Sequence, residues 1–290
     1  MSSGTVRRAL EDLVQLRSGA DAVSWLKEAI DVDELQFGEC LAQLPKKFGH
    51  KHLIAGFKDR QDSVLMTQHG AMPIGHWRTD RAARALLIAM RAARAEKPFK
   101  FLFATYDNGD TETRVAALYA VNLVDDDDVE QGMALIHDAG RTYLEELMNA
   151  AWCNHPFATV HMSNVEYRKA VLKSLFCNVP IEGFLGLSER ADNELAHSLK
   201  DFADEREAAG RPVPDVLWPV LALHPQPGLI ARLIGRLEHP LAIQRIVSAR
   251  SLRNAKDSRA VSFLQERLTR EDDPKVTAAI HEAIEACSAS

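Results

Sequence analysis

The stretch that decides the fold is Asn164-Val165-Glu166-Tyr167-Arg168-Lys169-Ala170-Val171-Leu172-Lys173-Ser174-Leu175-Phe176. Val165, Leu172 and Phe176 make one apolar stripe, and Tyr167, Val171 and Leu175 make an adjoining one. Helical periodicity puts both on a single broad face, wide enough to be covered by two neighbouring helices. Asn164 is the expected N-cap, accepting a backbone N–H from the first turn. Glu166, Lys169 and Lys173 fall together on the other side. A second helix is expected over 193–209, stopped by Gly210-Arg211-Pro212.

The same periodicity extends in both directions. Upstream it predicts helices over 5–16, 21–30 and 32–44, the last ending at Pro45, then over 79–96, 110–124, 127–138 and 142–152. Downstream it predicts helices over 214–223, 227–238, 240–252, 258–268 and 274–286. Residues 99–103 are expected in a helix despite their aromatic content. Residues 46–75 are broken by Gly49, Gly56, Gly70, Pro73 and Gly75, and read as a loop or small cap with a short helix at Val64-Leu65-Met66. Val/Ile/Thr alternation flanking hairpin turns is not seen, so the class is all-α.

Several helix starts share a pattern. Asp80 is followed by Arg84, Leu87 and Met90, Asp110 by Arg114, Ala117 and Ala120, and Asn164 by Arg168, Val171 and Ser174. Asp273-Pro274 leads to Thr277, Ile280 and Ala283. A cap followed by small or apolar residues at helical steps resembles the second helix of HEAT-like repeats. The uneven intervals point to an irregular HEAT-like α-solenoid, a multi-helical right-handed array. An ordinary bundle of well-capped helices would carry the same caps. The expected division is an N-terminal helical region with an irregular cap at 1–78 and a helical-repeat region at 79–290, joined in one continuous domain.

Composition narrows the function classes. An apolar content of 46% with 26% charged residues over 290 positions is that of a globular chain with a large core. A net charge of −6 argues against nucleic acid as partner, which calls for a dense Lys/Arg footprint. No apolar run reaches membrane-spanning length and no signal-peptide pattern is found. Cys40, Cys153, Cys177 and Cys287 are isolated, as reduced thiols of a cytoplasmic protein would be.

Two constellations could carry chemistry. Cys153-Asn154-His155 precedes His161, but zinc needs four converging ligands, usually as two tight pairs. A capped interhelical loop with His155 bonded to backbone carbonyls accounts for these residues without a metal, so no metal and no cofactor is expected. His197, Asp201 and Glu205 line one helix face, with Arg206 beside them. They could bind a cation or supply an acid/base pair. A solvated face opposite Leu195, Leu199 and Phe202 gives the same spacing. Gly-x-Ser-x-Gly, Walker and Rossmann signatures are missing.

The block Asn164 to Phe176, together with Leu187-Ser188-Glu189-Arg190-Ala191-Asp192-Asn193-Glu194 and Asp201-Phe202-Ala203-Asp204-Glu205-Arg206-Glu207-Ala208-Ala209-Gly210-Arg211-Pro212, resembles the EboA-domain family. Gly75-His76-Trp77 with Asp80-Arg81-Ala82-Ala83-Arg84, and Leu102-Phe103-Ala104-Thr105, extend the likeness upstream. Departures from the family pattern fall at Asn154 to Ala158, at Tyr167 and Glu207 where tryptophan is usual, and at Arg168-Lys169. The resemblance implies company with an ebo-type cluster that makes or exports a secondary metabolite, with prenyltransferase-like, metal-hydrolase-like, cyclase-like and sugar-isomerase-like members. It transfers no catalytic residue.

Lys173, Asp201, Glu205, Arg206 and Arg211 lie in the matching blocks, and with His155 they are the candidate binding residues. The leading reading is a non-enzymatic helical-repeat protein that binds a pathway protein or a small metabolite. The alternative is an enzyme of the same pathway using Lys173 with Asp201 or Glu205 as acid and base.

Overall fold

The run Ala82-Ala83-Arg84-Ala85-Leu86-Leu87-Ile88-Ala89 is apolar but for one arginine, and every one of these residues is buried. A helix that is apolar all round belongs inside a protein. In the computed structural model, which describes residues 2–289, this run is the middle of a central helix. The chain forms two compact units, one ending at Leu185 and one starting at Gly186.

The first unit contains α1 (Ser3–Ser18), α2 (Ala20–Glu28), α3 (Glu34–Phe48), α4 (Phe57–Asp62), the hairpin β1 (Val64–Thr67) and β2 (Gly70–Pro73), and the central α5 (Thr79–Ala92). It continues with α6 (Pro98–Asn108), α7 (Thr111–Ala120), α8 (Val129–Arg141), α9 (Glu145–Trp152), α10 (Pro156–His161) and α11 (Asn164–Phe176). Helices α1, α2, α3, α6 and α7 pack around α5. Alanines on α5 let these backbones approach, while Leu86, Leu87 and Ile88 each contribute about 1.5–3 kcal/mol on burial. The start of α5 is tied to the preceding loop: Thr79 Oγ1 donates to the carbonyls of Phe48 and Gly49, and Asp80 N to that of Gly49. Trp77, just before α5, stacks on Tyr119 of α7 with ring centroids 4.7 Å apart.

The second unit contains α12 (Leu187–Arg190), α13 (Asn193–Ala208), α14 (Leu217–Leu221), α15 (Leu229–Arg236), α16 (Ala242–Ala255), α17 (Val261–Leu268) and α18 (Pro274–Ser288). Packing here runs between near neighbours in the chain: α13 on α14, α14 and α15 on α16, α16 and α17 on α18. The guanidinium groups of Arg232 and Arg236, one turn apart on α15, each lie 4.6 Å from the Trp218 ring. Glu271, almost wholly buried, is held by Arg245 and Arg267.

The all-α class is found, and residues 99–103 are helical. Several local expectations are corrected. Val64-Leu65-Met66 is strand, not helix: Leu65 and Thr67 face in, Val64 and Met66 face out, and Thr67 pairs with Gly70 across a two-residue turn. Pro45 does not end α3, which continues to Phe48. An interior proline costs about 3 kcal/mol, and here Leu44 and Phe48 are buried across the site. The N-cap of α11 is Ser163, whose reciprocal bonds with Glu166 make a capping box, and Asn164 is the first helical residue. Of the two α11 stripes, Tyr167, Val171 and Leu175 face the core, whereas Val165 and Phe176 are 49% and 61% exposed. Tyr167 fixes that choice by donating its hydroxyl to Leu185 O at 2.9 Å and meeting the Phe184 ring edge-on.

Candidate functional site

Helices α3, α5 and α6 and the first turn of α7 border a half-open cleft of about 500 Å³. This is within the range of small-molecule sites. Phe37 and Leu41 of α3 and Phe101 and Ala104 of α6 are its apolar lining, with Arg84 and Thr113 beneath and Glu34, Arg91 and Asp110 also contributing. Phe37 and Phe101 meet edge to face, centroids 6.4 Å apart. Gly38, one turn into α3, also borders the space, and a Cβ there would meet nothing within 4 Å.

Arg84 is 3% exposed and donates from one terminal nitrogen to Thr113 Oγ1 at 2.9 Å. That is its one side-chain hydrogen bond among the described residues. Burial lowers its pKa, and the charges of Asp110, Glu112 and Asp80 only partly offset this. Asp110 caps α7 by accepting from Thr113 N at 2.8 Å. Burial pushes its carboxyl up, but hydrogen bonds from Thr113 and the Arg84 charge hold it below the usual carboxylate range. A donor fork and an ionised carboxylate therefore stand side by side, bridged by one threonine.

The other arginines nearby are occupied. Arg91 lies 4.5 Å over the Phe37 ring and donates to Ile30 O and Val32 O at 2.9 and 2.7 Å. Arg78 bonds Asp80 and Glu112, and Arg81 bonds Glu112 at 3.0 Å. Glu112 is partly buried, which alone would raise its pKa, yet Arg81 and Arg78 hold it below the ordinary value.

The residues singled out from sequence lie elsewhere. His155 is fully buried and caps α10, accepting from Ala158 N on Nδ1 at 3.1 Å and meeting Leu118 O through Nε2 at 2.9 Å. Nε2 also lies 3.1 Å from Asn122 Nδ2, and Asn122 Oδ1 accepts from Phe157 N at 2.9 Å. Lys173 belongs to the first unit and donates to the carbonyls of Gly140 and Thr142 at the end of α8. With His137, Trp152, Glu166 and Lys169 it borders a shallower groove of about 390 Å³.

Asp201, Glu205, Arg206 and Arg211 belong to the second unit. Asp201 is exposed and lies 3.6 Å from His197, and Glu205 and Arg211 are exposed. Arg206 donates to Pro212 O at 2.6 Å. Among the described residues no group of three or more His, Cys, Asp or Glu side chains is placed to hold a metal ion.

Arg84 had a sequence signal. It is the one charged residue inside a run that is otherwise apolar on all sides, and a buried charge needs a partner or a purpose. The cleft itself had none, because α3 and α6 are far apart in the chain.

A family model described as metabolite traffic protein EboA matches residues 6–222, including every element of the cleft. No curated protein and no solved structure matches. A match over well beyond half of the chain, on the segments that build α3 to α7, identifies it: the chain belongs to the EboA family of metabolite traffic proteins.

Proposed function

We propose that this protein is a non-enzymatic accessory of metabolite handling, and that it holds a small molecule in the cleft between α3, α5, α6 and α7. The observation that carries the reading is Arg84: a buried guanidinium bordering a half-open cleft, with one hydrogen bond to the protein. The family description, metabolite traffic, supports a binding rather than a catalytic role. The neighbour-on-neighbour packing of α13 to α18 supports a helical-repeat scaffold whose outer faces meet pathway proteins. A net charge of −6 speaks against nucleic acid as the partner. No helix among the described residues is long and apolar enough to cross a membrane. With four free cysteines, two of them buried, the reading puts the protein in the cytoplasm.

The enzymatic alternative, with Lys173 and Asp201 or Glu205 as acid and base, requires Lys173 to leave the carbonyls of Gly140 and Thr142. Native mass spectrometry of protein isolated from its own host tests the proposal. A co-purifying small molecule is expected on the wild type and not on Gly38→Leu, which projects a side chain into the cleft from the α3 wall. Equal occupancy of both proteins would refute the cleft as the site.

A further inference from the structure

Three observations on the cleft, taken together, narrow what can occupy it. The first is the donor inventory. A guanidinium carries five N–H donors in a planar fork, and Arg84 gives one to Thr113. Arg91, the other cation bordering the cleft, is engaged by the backbone carbonyls of Ile30 and Val32. Of the two, Arg84 keeps most of its fork for an occupant, at a site 3% exposed where water competes poorly.

The second is the lining. Phe37, Leu41 and Phe101 present flat and branched apolar surface. Gly38 sits inside a helix, at a propensity cost of about 1 kcal/mol against alanine, although a Cβ would find open space. Nothing in the protein's own packing requires that bare position, whereas a molecule lying against α3 would. The third is charge: Glu34 and Asp110 also border the cleft. Set against Arg84 and Arg91 they leave the lining without net positive charge, which penalises a dianion such as a phosphate monoester more than a single carboxylate.

We infer that the cleft takes a small molecule with a flat apolar body and a single carboxylate, its two oxygens accepting from the Arg84 fork while the body lies against Phe37, Phe101 and the bare face at Gly38. The inference rests on the reading of this cleft as the binding site. Planar fork-to-carboxylate pairing gives both direction and strength, and the aromatic walls orient the ring plane.

Isothermal titration calorimetry of the full chain with three probes sharing one ring system tests it: 2-naphthoate, 2-naphthyl phosphate and the neutral 2-naphthalenemethanol. The wild type is expected to bind 2-naphthoate about tenfold or more tighter than the alcohol, and tighter than the phosphate. Gly38→Leu should abolish binding of all three. Arg84→Gln should bring the carboxylate-to-alcohol ratio to about one. The wild-type ratio and the Gly38→Leu result hold even if Arg84→Gln fails to fold. Carboxylate and alcohol bound equally, with both lost in Gly38→Leu, would overturn the carboxylate and leave the cleft standing as a site. Binding indifferent to Gly38→Leu would remove both. Absence of binding by all three probes would overturn the inference, while the occupant sought by native mass spectrometry would still decide the reading beneath it.

Discussion

Lys173 closes the end of α8: its ammonium donates to Gly140 O at 2.6 Å, and to Thr142 O in the same turn. The last carbonyls of a helix have no partner within it, and a cation there also meets the negative end of the helix dipole. Lys173→Met is therefore expected to lower stability by about 1–3 kcal/mol, read as a shift in urea midpoint at unchanged slope. An unshifted midpoint would free Lys173 from this structural duty.

His155 makes stability depend on pH. Burial drives its pKa down to about 4, and the same cause takes His76 to about 4. In the unfolded chain both titrate near pH 6.5. Between these values the unfolded state binds more protons, so stability is full above about pH 6.5, falls as pH is lowered, and stops falling near the folded pKa. The loss should reach about 3 kcal/mol per histidine by pH 4. His155→Asn keeps an N-cap acceptor for Ala158 N but cannot titrate. Denaturant titrations across this window should lose about one proton of pH dependence in that variant; an identical slope would contradict the assignment.

Glu271 also ties stability to pH, at the acid end of the range. Its side chain is 2% exposed, with Arg245 at 2.7 Å and Arg267 at 2.7 Å, and hydrogen bonds from Arg245 and then Arg267 bring its pKa to about 2. A carboxylate lowered in this way stabilises above the unfolded value near pH 4.3 and loses that contribution as pH falls towards 2. Glu271→Gln leaves two arginines without their anion and should cost about 3–5 kcal/mol at neutral pH. Chemical denaturation followed by far-UV circular dichroism measures it, and a loss under about 1 kcal/mol would rank the cluster with ordinary surface pairs.

Two helical glycines should respond with opposite signs. At Gly132 in α8 a Cβ would lie 2.6 Å from Phe157 Cζ and 2.9 Å from Phe99 Cε2, so Gly132→Ala should destabilise by about 1–3 kcal/mol despite the better helix former. At Gly38 the space is open, and Gly38→Ala should stabilise by about 0.5–1 kcal/mol. Matching signs in thermal melts would mean that packing does not govern these positions.

Much of the fold was legible because apolar residues recur at helical steps and caps mark the starts. Errors arose where two residues of the same chemistry adjoin. Ser163 and Asn164 both cap well, and only Glu166 three residues after the serine distinguishes them. The hairpin was hidden because four residues such as Val64 to Thr67 cannot reveal a period. In α11, Val165 and Phe176 are as apolar as the residues that face inward, and only the partners reveal which stripe is covered. The candidate cleft was not legible. Its chemistry rests on one arginine visible as an anomaly in α5, while its walls come from α3 and α6, whose meeting is a tertiary fact.

Because α5 is enclosed by neighbours, it cannot act as the moving part of the cleft. Any widening to admit an occupant falls to α3 and α6, and the hinge available to α3 is the turn at Ile30 to Val32, whose carbonyls are gripped by Arg91. Arg91 also covers Phe37, so one side chain couples the wall to its pivot. Occupancy would then be felt as a slowing of amide exchange along α3, with the amides of α5 equally slow in both states. Arg91→Met should decouple the two, leaving the cleft in place but its outer wall loose whether filled or empty.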